Sequence, residues 1–512
     1  MDDQPSQKEN VIIIGGGPAG LTAAYQLSKA GIQSTVLEKE KMVGGLAKTV
    51  NYKGFRFDMG GHRFFTKVKS VEKIWHEVLT KADFLHCHRL SRIYYNRMFF
   101  RYPLKPLDTL LGLGIGNSVL IFISYLLARC FPQVPEHNFE QWVSNRFGKR
   151  LYKLFFKTYT EKVWGIPPHQ ISADWAEQRI KDLSLLTAVR NALFKHGSQK
   201  GHVIKTLIDE FHYPKHGPGM MWETVAEFAQ RNGSQIRLGA SVERILWSKK
   251  RVLAIEIQTN GQREVVRGTQ FISSMPLREL IHKFDPPLAQ PFLQAADHLH
   301  YRDFLIVALI VRKRDVFPDN WIYIHNPEVK VGRIQNFKNW SAHMVPDPSQ
   351  TCLGLEYFCF KGDGLWSASD QDLIELGKKE LEMMGLATMA DIEDGTVVRI
   401  PMAYPVYDHT YREALACIRL FLDGLENFQS VGRNGMHKYN NQDHSMLTAM
   451  LAVENISGAN HDLWRVNADQ AYHEEMTSRE ATAVDELAAL ASTQPRVPEE
   501  AAPSLALTRA AL

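Results

Sequence analysis

Val11-Ile12-Ile13-Ile14-Gly15-Gly16-Gly17-Pro18-Ala19-Gly20-Leu21-Thr22-Ala23-Ala24 is the stretch that decides the fold. Its four apolar, largely β-branched residues read as a buried strand of a parallel sheet. The glycines then turn the chain, and an Ala-rich helical run follows. Gly15 admits the tight turn, Gly17 lets backbone approach a pyrophosphate, and Gly20 lets the helix pack close to the strand. A helix N-terminus presents free N–H groups and a partial positive charge, so a diphosphate sits there. A second strand, Ser34-Thr35-Val36-Leu37, ends in Glu38, at the spacing where a carboxylate takes a ribose hydroxyl pair. Strand, glycines, helix, strand and terminal acid in that order predict a dinucleotide-binding βαβ unit. Gly15, Gly17, Ala19, Gly20, Glu38 and Lys39 are its candidate cofactor contacts.

A second Gly-rich segment, Lys39 to Thr49 with Gly44 and Gly45, follows soon after the ribose acid, and Phe57-Asp58-Met59-Gly60-Gly61-His62 comes next. NAD-only domains have little use for such loops. FAD needs them, because its isoalloxazine extends past the pyrophosphate and backbone must run flat beside it. FAD is therefore the expected cofactor, with Gly45, Leu46, Gly61 and His62 as further candidate contacts. Far along the chain, Val431-Gly432-Arg433-Asn434-Gly435 leads through Asn441, Gln442, Asp443, His444 and Ser445 into a helical run over Met446–Ile456. A strand, a Gly-Arg pair and a helix N-terminus again offer N–H groups to pyrophosphate or ribityl oxygens. Gly432, Arg433, Asn441, Gln442 and Ser445 are the candidates from this end. Taken together these residues resemble the flavoenzyme group that contains amine oxidases, protoporphyrinogen oxidases, phytoene desaturases and UDP-galactopyranose mutases.

With 512 residues, 45% of them hydrophobic and 23% charged, the chain has the make-up of a globular enzyme of two or three sub-domains. A net charge of +4 without a Lys/Arg run excludes a nucleic-acid argument. Cys87, Cys130, Cys352, Cys359 and Cys417 are scattered without a C-x-x-C pair. That argues against a disulfide framework or a zinc site, predicts no metal, and fits a reducing cytoplasm. The polar first ten residues lead straight into the nucleotide strand, which reads as a chain without a signal peptide. The stretch from Leu107 to Ala128 is long and apolar apart from Asp108, but Gly112, Gly114, Gly116, Asn117 and Ser118 interrupt it. Its expected state is a buried or helix-paired segment, with membrane-surface contact as the alternative.

The expected architecture is α/β: a Rossmann-type FAD-binding domain with a helical insertion and a mostly antiparallel substrate-domain sheet. Residues 1–100 would supply the first part of the FAD domain, 101–200 a helical cap over the flavin, and 201–300 the middle part of the FAD domain. Residues 301–425 would form the substrate sheet, 426–464 the return to the FAD domain, and 465–512 an Ala-, Glu- and Pro-rich tail that reads as disordered. Within these, Ser91–Tyr95 and Met98–Tyr102 read as a hairpin around Asn96-Arg97. Ser241–Ile257 alternates like a strand, and Arg263–Ser273 returns the chain to the nucleotide domain.

Over residues 10 to 457 the resemblance sharpens to the UDP-galactopyranose mutase family. Gly60-Gly61-His62 resembles a mobile loop beside the flavin N5. Tyr159-Thr160-Glu161-Lys162-Val163-Trp164, followed by Trp175 to Arg179, resembles the family's helical substrate domain, and Arg179 falls on an arginine that grips the diphosphate. Trp321-Ile322-Tyr323 with Arg333 supplies a second such arginine. Tyr404 and Tyr439 match a tyrosine pair that binds phosphate oxygens, and Tyr102 a uridine-side contact. The resemblance thus implies catalytic roles for His62, Arg179 and Arg333, and substrate contacts from Tyr102, Tyr159, Trp164, Arg179, Tyr323, Arg333, Tyr404 and Tyr439. Guanidinium forks bind a diphosphate bidentately while phenols add neutral donors. The sequence departs from the family at Gly217-Pro218-Gly219-Met220-Met221-Trp222, at Ile334 to Trp340, and at 107–128.

The function this implies is interconversion of the pyranose and furanose forms of a nucleotide-linked sugar through a reduced-flavin N5 adduct, with NADH or NADPH as a reductant. Such an isomerase would serve polysaccharide biosynthesis. The alternative is an FAD-dependent oxidoreductase of the amine oxidase, protoporphyrinogen oxidase or desaturase type. A third reading is a non-catalytic flavin-bound scaffold, which the substrate-site candidates argue against. Oligomeric state is not legible in the sequence.

Overall fold

In the computed structural model, which describes residues 9–102, 112–173, 175–176 and 210–467, the strand Asn10–Ile14 runs through the middle of a five-stranded sheet. The order across it is Phe428–Ser430, Gln270–Ser273, Asn10–Ile14, Gln33–Glu38, Gln235–Leu238, and every neighbouring pair is parallel. Val11, Ile12, Ile13 and Ile14 are all buried. Both faces of this sheet are covered, which is why the strand is continuously apolar and does not alternate. On one face the helices Pro18–Lys29 and Gln442–Ile456 pack through Ala23, Ala24, Ala449 and Ala452, side chains small enough for close approach.

A four-stranded sheet lies alongside, in the order Gln262–Arg267, Arg251–Thr259, Ser241–Ser248, Phe284–Asp285. The single alternating stretch expected over Ser241–Ile257 is in fact a hairpin. It turns at Lys249-Lys250, which have φ of +47° and +66°. Lysines in that conformation carry no turn signature, because Gly or Asn is the usual occupant. Arg263–Ser273 likewise divides, and only Gln270–Ser273 joins the parallel sheet.

The other large layer is a seven-stranded sheet ordered Ile392–Pro405, Tyr301–Val311, Thr351–Cys359, Arg333–Asn336, Trp321–Ile324, Ser91–Tyr95, Met98–Arg101. All its pairs are antiparallel except Trp321–Ile324 with Ser91–Tyr95. Along Tyr301–Val311 the side chains divide with a period of two. Leu305, Val307 and Leu309 enter one core and Phe304, Ile306 and Ala308 the other. The hairpin of Ser91–Tyr95 and Met98–Arg101, expected with the FAD domain, completes this sheet instead. Buried Ile93 and Tyr94 hold it there, and Arg92 clamps the buried Asp319 with Nε and Nη2 at 2.6–3.0 Å.

Among the described residues of the insertion are the helices Ile115–Cys130, Phe139–Phe147 and Thr158–Trp164. Of the expected buried or helix-paired 107–128 segment, the first of these helices is paired with Phe139–Phe147 but is not buried. Only Ile121 and Tyr125 of its described large side chains are buried, where the helix packs on Phe139–Phe147 and on the turn at Gly148. Among the described residues no helix is long and apolar enough to cross a membrane. Leu107 to Leu111, Arg179, the run after it to Ile208, and the tail beyond Asn467 lie outside the described residues.

Candidate functional site

The carboxyl ends of the parallel strands face the seven-stranded sheet across a cleft of about 1120 Å³. At one end the turn after Ile14 is built on steric exclusion. Gly15 has φ +101°, and a Cβ on Gly20 would lie 1.9 Å from the Gly15 carbonyl oxygen. The start of Pro18–Lys29 therefore rests directly on the turn and aims its N–H groups into the cleft. Gly17 and Gly45 face each other so closely that a Cβ on Gly45 would stand 3.0 Å from the Gly17 Cα, and the Gly44 N–H donates to the Gly16 carbonyl at 2.8 Å. Glu38 is fixed at its strand end by the Gly16 N–H (2.6 Å) and the Glu40 N–H (2.9 Å). Ala19, Lys39 and Leu46 line the same end.

The return segment closes on this turn. Gly432 has φ +82°, and a Cβ there would meet the Ala19 Cβ at 3.0 Å. The Gly432 N–H donates to Thr448 Oγ1 (3.0 Å), and Arg433 Nε donates to the Asn440 carbonyl (2.8 Å). Asn441 caps the Gln442–Ile456 helix, whose first turn brings Gln442 and Ser445 to the cleft wall. Gln442 Oε1 accepts from Trp222 Nε1 at 2.9 Å, while its Nε2 is buried without a hydrogen-bond acceptor among the described residues. Two helix N-termini on one cleft, a backbone cradle that a Cβ would fill and a stranded donor all fit FAD.

Further along, Gly60 has φ +104° and sits 3.5 Å, measured from an added Cβ, from Arg333 Nη2. Gly61 and His62 line the cleft here. His62 Nε2 donates to the Met59 carbonyl at 3.0 Å. Loss of water, then the neighbouring positive charges of Arg433 and Arg333, push the imidazole down to about 4 against the pull of two carbonyls. It is neutral at physiological pH, and its Nε2 proton is engaged by the Met59 carbonyl.

At the far end Arg333 gives Nε and Nη2 to Glu356 Oε2 at 2.9 and 2.6 Å, and Gln335 Nε2 donates to Oε1 at 2.9 Å. Tyr404 and Tyr439 stack at 5.6 Å and 16°, with the Arg433 guanidinium 5.6 and 4.7 Å from their rings. Tyr323 lines the cleft, whereas Tyr102 (5.0 Å), Tyr159 (5.6 Å) and Trp164 stand behind it in one aromatic cluster. Burial pushes the Tyr159 and Tyr404 phenols up, so they act as neutral donors. Arg179 lies outside the described residues.

The position of that cluster depends on Arg302. This buried guanidinium donates to the Val163, Lys162 and Phe358 carbonyls at 3.0, 3.2 and 2.8 Å, and burial lowers it to about 10. It thereby satisfies the C-terminal carbonyls of Thr158–Trp164 and pins that helix to the sheet. Lys162 adds a second anchor, with Nζ donating to the Ile324, Asn326 and Val331 carbonyls at 2.6–3.2 Å.

Sequence reasoning missed two cations. Arg63 and Arg89 each hold a guanidinium 5.4 Å from the Trp321 ring, and Arg63 lines the cleft. Arg63 follows His62 directly, and that adjacency was the available signal. It also missed Asp58, buried under the cleft and hydrogen-bonded by the Tyr213 hydroxyl and by Thr49 Oγ1 (2.7 Å); burial pushes its carboxyl up to about 7. Among the described residues no group of three or more His, Cys, Asp or Glu stands where it could hold a metal ion.

Residues 18–384 match the model of the flavin containing amine oxidoreductase family. A Mycobacterium tuberculosis protein named as a flavin-containing monoamine oxidase, AofH, is 23% identical over 306 residues, 57% of this chain and 63% of that one. A phytoene desaturase of Phycomyces blakesleeanus is 30% identical over 91 residues, 17% of this chain and 16% of that one. The chain thus spans less than two thirds of these curated relatives. Among solved structures, reduced UDP-galactopyranose mutase superposes with a TM-score of 0.78 at 21% identity, covering 91% of this chain and 99% of the other. A protein from Exiguobacterium sp. 255-15 named for protoporphyrinogen oxidase gives 0.66 at 17% identity, over 88% and 99%. At these identities the likeness is one of fold.

Proposed function

Because this chain belongs to the flavin containing amine oxidoreductase family, with FAD as its cofactor, we propose that it acts on a nucleoside diphosphate sugar and interconverts the sugar's ring forms. The observation that carries this reading is the charge of the cleft beyond the flavin end. Arg63, Arg333 and Arg433 line the cleft together with Tyr323, Tyr404 and Tyr439, and the Glu356 carboxylate is taken up by Arg333. Such a surface attracts an anion and repels the ammonium group of an amine.

When bound and reduced, FAD supplies a nucleophilic nitrogen for covalent catalysis without net electron transfer. This chain's residues would do the rest. Arg333, with Nε and Nη2 held by Glu356, and Arg63 would hold the diphosphate as it departs and as it returns. Tyr404, kept neutral by burial, and Tyr439 stacked on it would donate to phosphate oxygens. His62, neutral and held by the Met59 carbonyl, would orient the loop beside the flavin and would not carry a proton. The Thr158–Trp164 helix would exclude water from the sugar.

The second reading, net hydride transfer from an organic substrate to the flavin, is favoured by the family's own description and by the oxidase and desaturase relatives. The test is to titrate holoenzyme, oxidised or dithionite-reduced, with UDP-galactose, UDP and dTDP. Ring-isomerised product only in the reduced state, and UDP affinity about tenfold or more weaker in Arg63→Ala, is the expected result. Arg333→Ala alone would strand the Glu356 carboxylate, so its cleaner form is the double change with Glu356→Gln. No spectral response to any nucleotide, with oxygen consumed on adding an amine or a porphyrinogen, would establish the second reading in its place.

A further inference from the structure

The Ile115–Cys130 helix turns its apolar side away from the protein. Val119, Leu120, Phe122, Ile123, Leu126 and Leu127 are 45–56% exposed, whereas Ile121 and Tyr125 face inward at 2% and 3%. At about 100° per residue, the six exposed side chains cover an arc of roughly 160°. Phe131 and Val134, 78% and 80% exposed, prolong the face beyond the helix end. A monomer in water has no use for so concentrated an apolar surface.

Both rims of the arc carry a guanidinium. Arg129 is exposed at one rim. At the other, Arg150 donates through Nη2 to Asn117 Oδ1 at 2.7 Å and through its backbone N–H to Ser124 Oγ at 3.0 Å. The exposed Lys149 and Lys153 adjoin Arg150. From Thr109 to Pro135 there is no acidic residue, and Glu136, the next one, is engaged by Arg146 at 2.7 Å. The helix is sixteen residues long, which gives about 24 Å, short of the roughly 30 Å of a bilayer core. An apolar arc with cationic rims and no acid is the pattern of a helix lying in the plane of an anionic lipid surface.

We propose that this helix and the turn after it dock the protein on anionic bilayers, with the helix axis parallel to the membrane. Ile121 belongs to the same hydrophobic core as Trp164, and Tyr323, Tyr404 and Tyr439 pack against that core elsewhere. Docking therefore sets the orientation of the candidate substrate cleft toward the lipid surface as one rigid piece.

The test floats FAD-loaded protein with vesicles of phosphatidylcholine alone or mixed with phosphatidylglycerol. Wild type should co-float with the mixed vesicles, less with phosphatidylcholine alone, and less again as salt is raised. Leu126→Glu should lower the vesicle-bound fraction about tenfold or more, with FAD content and melting temperature unchanged. Arg129→Glu should weaken binding to the mixed vesicles only. In a Cys417→Ser background, a polarity-sensitive dye on the exposed Cys130 should shift to the blue on adding mixed vesicles. Failure of wild type to float with either vesicle, or equal flotation of Leu126→Glu, overturns the proposal. A concentration-dependent dimer that Leu126→Glu dissociates, without vesicle binding, assigns the face to a second copy of the chain and also overturns it.

Discussion

Asp58 shows what a single buried group does to this fold. Its carboxyl is held near 7 by burial, against hydrogen bonds from Tyr213 and Thr49 that pull the other way. An unfolded aspartate titrates near about 4, so between roughly pH 4 and pH 7 the native state holds the extra proton and stability falls as pH rises. Asp58→Asn should remove that fall. Its melting temperature relative to wild type should climb across this window, by an amount equivalent to a few kcal/mol at most, about 1.4 for each pH unit. A constant difference between the two proteins at all pH values would mean that Asp58 ionises normally. Asp58 itself carried no sequence signal: burial and the Tyr213 hydroxyl, which produce its behaviour, come from 155 residues away.

At the scale of elements, the βαβ unit was legible because its glycines are steric requirements, and no other residue could stand where the Gly15 carbonyl approaches Gly20. The hairpin at Lys249-Lys250 was not, because its left-handed residues are lysines. The place of Ser91–Tyr95 beside Trp321–Ile324 was not legible either, since a parallel pairing across some 230 residues leaves no local trace. In the same way the sequence marks Tyr159 and Trp164 but not what holds their helix. Arg302→Met should leave FAD content near normal, destabilise the holoenzyme by about 2–4 kcal/mol, and raise amide exchange across Thr158–Trp164. Nucleotide affinity should fall with it. Unchanged exchange in that helix would show that Lys162 suffices as the anchor.

For the whole molecule, the strands of the parallel sheet come from residues 10–14, 33–38, 235–238, 270–273 and 428–430. Everything between them is built outward and brought back. A fragment ending before Phe428 lacks an edge strand, Gly432 and the Gln442–Ile456 helix, and should emerge from purification without yellow colour. Retention of FAD by such a fragment would show that the chain before Phe428 is a sufficient binding unit.

That interleaving has a consequence in time. The Gly15 turn leaves the ribosome early, yet its counterpart at Gly432 is made some 400 residues later, a wait on the order of tens of seconds at about 5–20 residues per second. During that interval the nucleotide motif is exposed on a half-assembled chain, with its strand Asn10–Ile14 lacking part of its cover. Translation speed and free flavin in the cell are thereby expected to set the yield, because the cradle exists only once its two distant turns have met.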